Sequence, residues 1–149
     1  MSSVQNLNQF TQTPGLGSPD LAFNFNTKSV QITPDSVSTK LQVGQAVKLI
    51  AGASPTIRVD MAASADAPFG VIIASLKKNT YAAGDTVEVA CRGNVIYLEA
   101  VAAINRGAEV ENVPTGPTVQ TKAAGARLGI ALDQASGAGQ LIRIEINPA

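Results

Sequence analysis

Carboxylates, one thiol and no imidazole are what this sequence offers for acid–base, nucleophilic or metal chemistry. A general acid–base pair needs two carboxyl groups converging in one pocket, yet Asp60, Asp66, Asp85 and Asp133 each sit in turn-like contexts such as Ala83-Gly84-Asp85. Asp in such places ordinarily caps its own backbone, and no spacing matches a metal-ligand loop. Cys91 ends the run Thr86-Val87-Glu88-Val89-Ala90-Cys91 beside Arg92, and a neighbouring cation is one of the features that lower a thiol. With no histidine to serve as base, nucleophilic catalysis at Cys91 has no partner and the residue reads as a small buried hydrophobe. The same absence rules out a Ser-His-Asp triad and Cys-His zinc sites, and a lone cysteine cannot form an internal disulfide. Gly15 and Gly17, and again Gly137 and Gly139, open no helix and carry no P-loop lysine, so they read as flexible loops rather than phosphate cradles. No catalytic, cofactor-binding or metal-ligating residue is expected.

The elements that remain must therefore serve structure or adhesion. Hydrophobic residues make up 45% of the 149 positions and charged residues 15%, enough for one core but sparse for a free surface. Some of that surface is expected to be covered by partners. The 11 basic and 11 acidic residues cancel and are dispersed, which does not make a nucleic-acid surface. No run approaches the roughly 18 apolar residues of a membrane span, and Met1-Ser2-Ser3-Val4-Gln5 lacks the pattern of a signal peptide, so synthesis in the cytoplasm is expected.

Residues 1–40 differ in texture from residues 41–149. The first part is rich in Asn, Gln, Ser and Thr, with prolines at 14, 19 and 34, and reads as an extended N-terminal arm. It nevertheless holds Phe10, Phe23 and Phe25, three of the four phenylalanines, whereas linkers are poor in aromatics. Leu21-Ala22-Phe23-Asn24-Phe25-Asn26 alternates as a strand with one buried face does, either in its own sheet or against a neighbour. Phe10, Leu16, Leu21, Phe23 and Phe25 are the candidate partner-binding residues.

From Leu41 onward, short Val, Ile, Ala and Thr runs punctuated by Gly predict many short strands and an all-β fold. The only helix-like stretch, Glu99–Ala103, is too short to form a layer. Three segments share an apolar residue, two spacers, Gly, two residues and Val: Leu41–Val47, Tyr81–Val87 and Ile104–Val110. They read as turns feeding strands. Phe69–Ala74 echoes Leu128–Asp133, and Gly84–Val89 echoes Gly139–Ile144 in the same order. Residues 41–92 and 104–146 thus read as two copies of one β unit, beginning at Gly44 and Gly107, packed as a small β-sandwich or barrel. Asn112–Thr118, stiffened by two prolines, reads as an exposed contact loop.

The order of Phe69-Gly70-Val71, Ala83–Val89, Arg92-Gly93, Ile104–Val110 and Leu128–Leu132 resembles that of small tailed-phage capsid decoration proteins, the cement proteins. The resemblance covers residues 41–146 and leaves the arm unmatched. It implies a β body on the outer capsid surface of a virion, extended termini clamping neighbouring major capsid protein subunits, and self-association as a homotrimer, with a dimer as the alternative. It implies no catalytic residue. An arm of this kind gains affinity by ordering on a partner and by adding strands to a sheet edge. The same texture suits another virion component, a head-fibre base or tail protein. A β-sandwich ligand-binding module is less well served, because aromatics are 4% of the chain and Trp is absent.

Overall fold

A computed structural model describes residues 15–19, 27–38, 41–74 and 79–149, with strands and turns and no helix among them. Ten strands close into two five-stranded barrels. The first contains β1 (Thr27–Ile32), β3 (Ala46–Leu49), β4 (Arg58–Met61), β5 (Gly70–Ile72) and β7 (Thr86–Ala90). The second contains β8 (Val95–Ala100), β9 (Glu109–Val113), β10 (Thr118–Thr121), β11 (Gly129–Ala131) and β12 (Leu141–Ile146). A short ribbon of β2 (Leu41–Gln42) and β6 (Thr80–Tyr81) flanks the first barrel. Closure leaves no free edge among the barrel strands, which suits a chain with little charge to blunt one.

The two barrels are one topology used twice. β1 runs parallel to β4 and antiparallel to β7, while β8 runs parallel to β10 and antiparallel to β12; β3 and β5 match β9 and β11. Turn hydrogen bonds repeat as well. Gly44 N–H donates to Ile72 O at 2.8 Å and Gly107 N–H to Ala131 O at 2.7 Å; Gly84 N–H donates to Ile32 O at 3.0 Å and Gly139 N–H to Ala100 O at 2.9 Å. These four glycines hold φ between 86° and 88°, which L side chains rarely adopt. Gly44 therefore corresponds to Gly107, and Gly84 to Gly139. The Tyr81–Val87 segment, although it looks like a third copy of the first echo, belongs to the second class of turn; both classes solve the same local problem of reversing into a strand.

The duplicated unit is larger than the echoes suggest. Each copy begins one strand earlier, with β1 and β8, because the glycine-centred echoes start only at the turn before β3 and β9. β1 lies within the segment read as an arm, where Val30 and Ile32 point into the first barrel and pair across from β7 and β4. Glu99 and Ala100, expected in a helix-like stretch, end strand β8 instead; β-branched and aromatic Val95-Ile96-Tyr97 set the conformation upstream.

The interiors correspond residue for residue. Val30, Ile32, Val47, Val59, Ile72, Val87 and Val89 fill the first barrel, and Leu98, Ala100, Val110, Val119, Ala131, Ile142 and Ile144 take the matching places in the second. Ala100 and Ala131 give up volume that Leu98, Ile142 and Ile144 recover in part, the kind of exchange a packed core tolerates. Gly70 and Gly129 stand where two strands approach closely: a Cβ would lie 2.4 Å from Ala90 O or 2.1 Å from Glu145 O. The barrels share a seam. Ala46, Ala62, Val71, Ile73 and Ala90 on the outside of the first barrel join the core cluster of the second, and Asn112 Nδ2 donates to Ala62 O at 3.0 Å.

Candidate partner-binding surface

The candidate chemical groups do not converge. Asp85 accepts a hydrogen bond from Ala82 N–H at 2.9 Å, and Asp60 accepts from Met61 N–H and from the Ser36 and Ser38 hydroxyls. Asp66 accepts from Ala63 N–H at 2.9 Å and from Lys48 Nζ at 3.0 Å, and these two contacts hold its carboxyl below the usual carboxylate range. Asp133 takes a bidentate fork from Arg143, at 2.8 and 2.9 Å, and is likewise lowered chiefly by it. Each carboxylate braces its own turn or strand. Cys91 is half-buried, and burial pushes its thiol up against the weaker downward pull of Lys28; Arg92 turns away to Asn147 and Pro148 O. Among the described residues no group of acidic, cysteine or histidine side chains could hold a metal, and no helix is long and apolar enough to cross a membrane.

Sequence reading overlooked Glu111, only 4% exposed. It accepts from Gln120 Nε2 at 2.7 Å, Ala123 N–H at 3.1 Å and Gly125 N–H at 2.6 Å. Burial raises its carboxyl, but these hydrogen bonds together with Lys122 outweigh burial and leave it lowered. The position corresponds to Lys48 of the first barrel, which grips Asp66 in the equivalent loop. One strand position thus pins the same loop in both barrels, once with a cation and once with an anion.

Of the candidate arm residues, Phe10, Leu21, Phe23 and Phe25 lie outside the described residues. Leu16 is half-buried and packs against the core cluster of the second barrel. Around it, residues 15–19 form a strap across the seam. Ser18 N–H closes a turn on Gly15 O at 3.1 Å, with Gly17 at the third position and φ 71°. Gly17 N–H donates to Tyr97 O at 2.7 Å, Tyr97 N–H to Ser18 O at 3.0 Å, and Ala74 N–H to Gly17 O at 3.0 Å. A Cβ on Gly17 would strike Val43 Cγ1 at 2.3 Å, so only glycine fits both the turn and the space.

The Asn112–Thr118 loop is a contact loop, and its contact is internal. Gln45 Nε2 reaches Pro114 O and Gly116 O at 3.5 and 3.4 Å, and Pro117 covers Gly44. The corresponding hairpin tip of the first barrel, residues 50–57, is longer and is not covered by any of the described residues. It follows Leu49, 53% exposed, and ends at Ile57, 47% exposed, and the two line an open cleft of about 550 Å³ with Thr33, Asp35, Ile50 and Arg58. Val37, two residues beyond Asp35, is 92% exposed. The signal was present in the sequence: residues 49–57 form a run without charge between Lys48 and Arg58.

The model of one protein family, described as structural cement protein (E217 gp24/Pam3 gp6), matches residues 8–147. The chain belongs to this family of phage structural cement proteins. No curated protein sequence matches it significantly. Among solved structures, the chain is similar to the head fiber gp8.5 N base of bacteriophage phi29, with a TM-score of 0.54, 17% identity, and coverage of 83% of this chain and 95% of that one. At that identity the likeness concerns the fold, which the two share. The cement protein is accordingly a capsid-associated part of a phage virion, and its all-β, duplicated architecture is that of a structural module.

Proposed function

We propose that this cement protein decorates the outer surface of a phage head without catalysing a reaction. It binds neighbouring major capsid protein subunits through the segment ahead of its barrels, with Phe10, Leu21, Phe23 and Phe25 as contacts and Leu16 at the root. Copies associate with one another, as a homotrimer or else a dimer. The observation that carries this reading is the strap: Gly15–Pro19 is tied by backbone hydrogen bonds to both barrels, so the chain before it departs from a fixed point, and pulling on it loads the whole body rather than one strand. Many copies with individually modest contacts then add up to firm coverage of a repetitive shell.

The test is co-sedimentation with expanded heads that lack the protein. Saturable binding that raises the melting temperature of the heads is the expected result. Deleting residues 2–14 removes Phe10 and spares the strap and β1, and replacing Leu21, Phe23 and Phe25 with Ser removes the remaining contacts; the combined variant should lose binding while the body still folds, and normal binding by it would show that the arm is not the anchor. A second reading, the base of a head fibre, draws on the fold shared with the phi29 protein, and sparse projecting fibres rather than even coverage under the electron microscope would favour it.

A further inference from the structure

The two barrels act as controls for each other, and their main unmatched feature is the rim at residues 49–57. In the second barrel the equivalent hairpin is an interface: Asn112 is buried and bonded to Ala62 O, and Pro114–Pro117 sit on Gly44 and Gln45. In the first barrel the counterpart of Asn112 is Leu49, the hairpin is longer, and nothing among the described residues covers it. Among the described residues, three of the four exposed large hydrophobic side chains, Val37, Leu49 and Ile57, fall on or beside this rim, a concentration of the kind that marks a binding surface.

A second copy docked as the two barrels dock on each other does not fit. The face of the second barrel that would receive the rim carries Glu109, Lys122 and Glu145 where the first barrel carries Ala46, Ala62 and Ala90, and Glu109 is already paired with Arg127 at 2.8 Å. Burying those charges under an uncharged rim would leave them without compensation. The rim instead calls for a neutral, partly apolar surface, and what a cement protein meets besides itself is the head.

We propose that the first barrel's rim, Leu49 and Ile57 around the cleft, is a second head-binding surface that receives an uncharged, partly apolar segment of a capsid subunit. This inference rests on the decoration reading and adds to it a contact made by the folded body, independent of the arm. Both side chains are exposed, so their replacement leaves the core intact.

The experiment measures binding of the full-length protein to expanded heads lacking it, for wild type, Ile57→Asp and Leu49→Asn, the last giving the first barrel the residue its counterpart uses. The expected result is a loss of affinity of about 10- to 100-fold for Ile57→Asp and a smaller loss for Leu49→Asn, with unchanged melting temperature and unchanged solution mass by light scattering. Wild-type affinity in both variants overturns the inference. So does a fall in solution mass with Ile57→Asp, which would make the rim a contact between copies. Failure of the wild type itself to bind would refute the decoration reading, a result separable from either.

Discussion

Replacing Glu111 with Ala tests whether the buried carboxylate is what holds the loop between β10 and β11. The substitution strands Gln120 Nε2 and the N–H groups of Ala123 and Gly125, now bonded at 2.7, 3.1 and 2.6 Å. Ala123 is exposed and water can replace its partner, whereas Gly125 and Gln120 are half-covered. Taking about 0.5 kcal/mol for the first and about 1.5 to 2 kcal/mol for each of the others, as for bonds to a charged acceptor, the loss is about 4 kcal/mol. That is a large share of the total stability of about 5–15 kcal/mol typical of a domain, and it corresponds to a fall in Tm of about 10 °C. The sign with pH follows from the lowered carboxyl. A group ionised more readily when folded contributes its stability above its unfolded pKa of about 4.3 and loses it as pH falls through the folded value. Urea unfolding at pH 7 and at pH 3 should therefore show a wide gap between wild type and Glu111→Ala that narrows in acid. A loss below about 1 kcal/mol at pH 7, or a gap that is no smaller at pH 3, would refute the account of this loop.

Gly129→Ala should cost about 3 kcal/mol or more, and Gly70→Ala a similar amount, because each new Cβ meets a backbone oxygen across the strand pair and the ladder must part; thermal melts check both, and wild-type Tm in either would remove the close approach as a constraint. Asp133→Asn, by weakening the Arg143 fork, should lower stability at pH 7 by about 1 kcal/mol, with the difference shrinking in acid as pH falls through the lowered folded value of the native carboxyl. Cys91, half-buried with its thiol pushed up by burial, should react with a disulfide reagent in the folded protein at least about tenfold more slowly than in urea at pH 8; equal rates would contradict its placement.

Much of this architecture was legible because a β turn leaves a strong local imprint. Gly44, Gly84, Gly107 and Gly139 all require positive φ, and Gly70 and Gly129 all but exclude a side chain, so these positions repeat where little else does. What the glycines do not mark was missed. β8 follows the positive-φ turn glycine Gly93, but no glycine stands in the residues just before β1 to echo it, so the unit seemed to begin a strand too late and one strand of the first barrel was read into the arm. Sequence spacing also cannot tell apart turns that do the same local work, which is why Tyr81–Val87 resembled Leu41–Val47 although the two occupy different places in the barrel. The aspartates read as turn residues do brace turns or strand pairs. Glu111 was overlooked because a buried carboxylate satisfied by main-chain donors has no pattern along the chain; its donors arrive from 9 to 14 residues away.

Where the two barrels differ is as informative as where they agree. Inside, matching positions stay aliphatic, since the barrel radius admits little else. Outside, the differences follow the neighbour each face meets. Ala46, Ala62 and Ala90 are small because the second barrel lies on them, and their counterparts Glu109, Lys122 and Glu145 are charged where no barrel lies on them among the described residues. The same rule read at the hairpin tips gives the opposite sense. Asn112 and the prolines of the second tip are polar or rigid and rest on the first barrel, while Leu49 and Ile57 of the first tip are apolar and bare. A charged bare face is a solvated one; an apolar bare face, in a chain with 15% charge, is where a binding surface is expected.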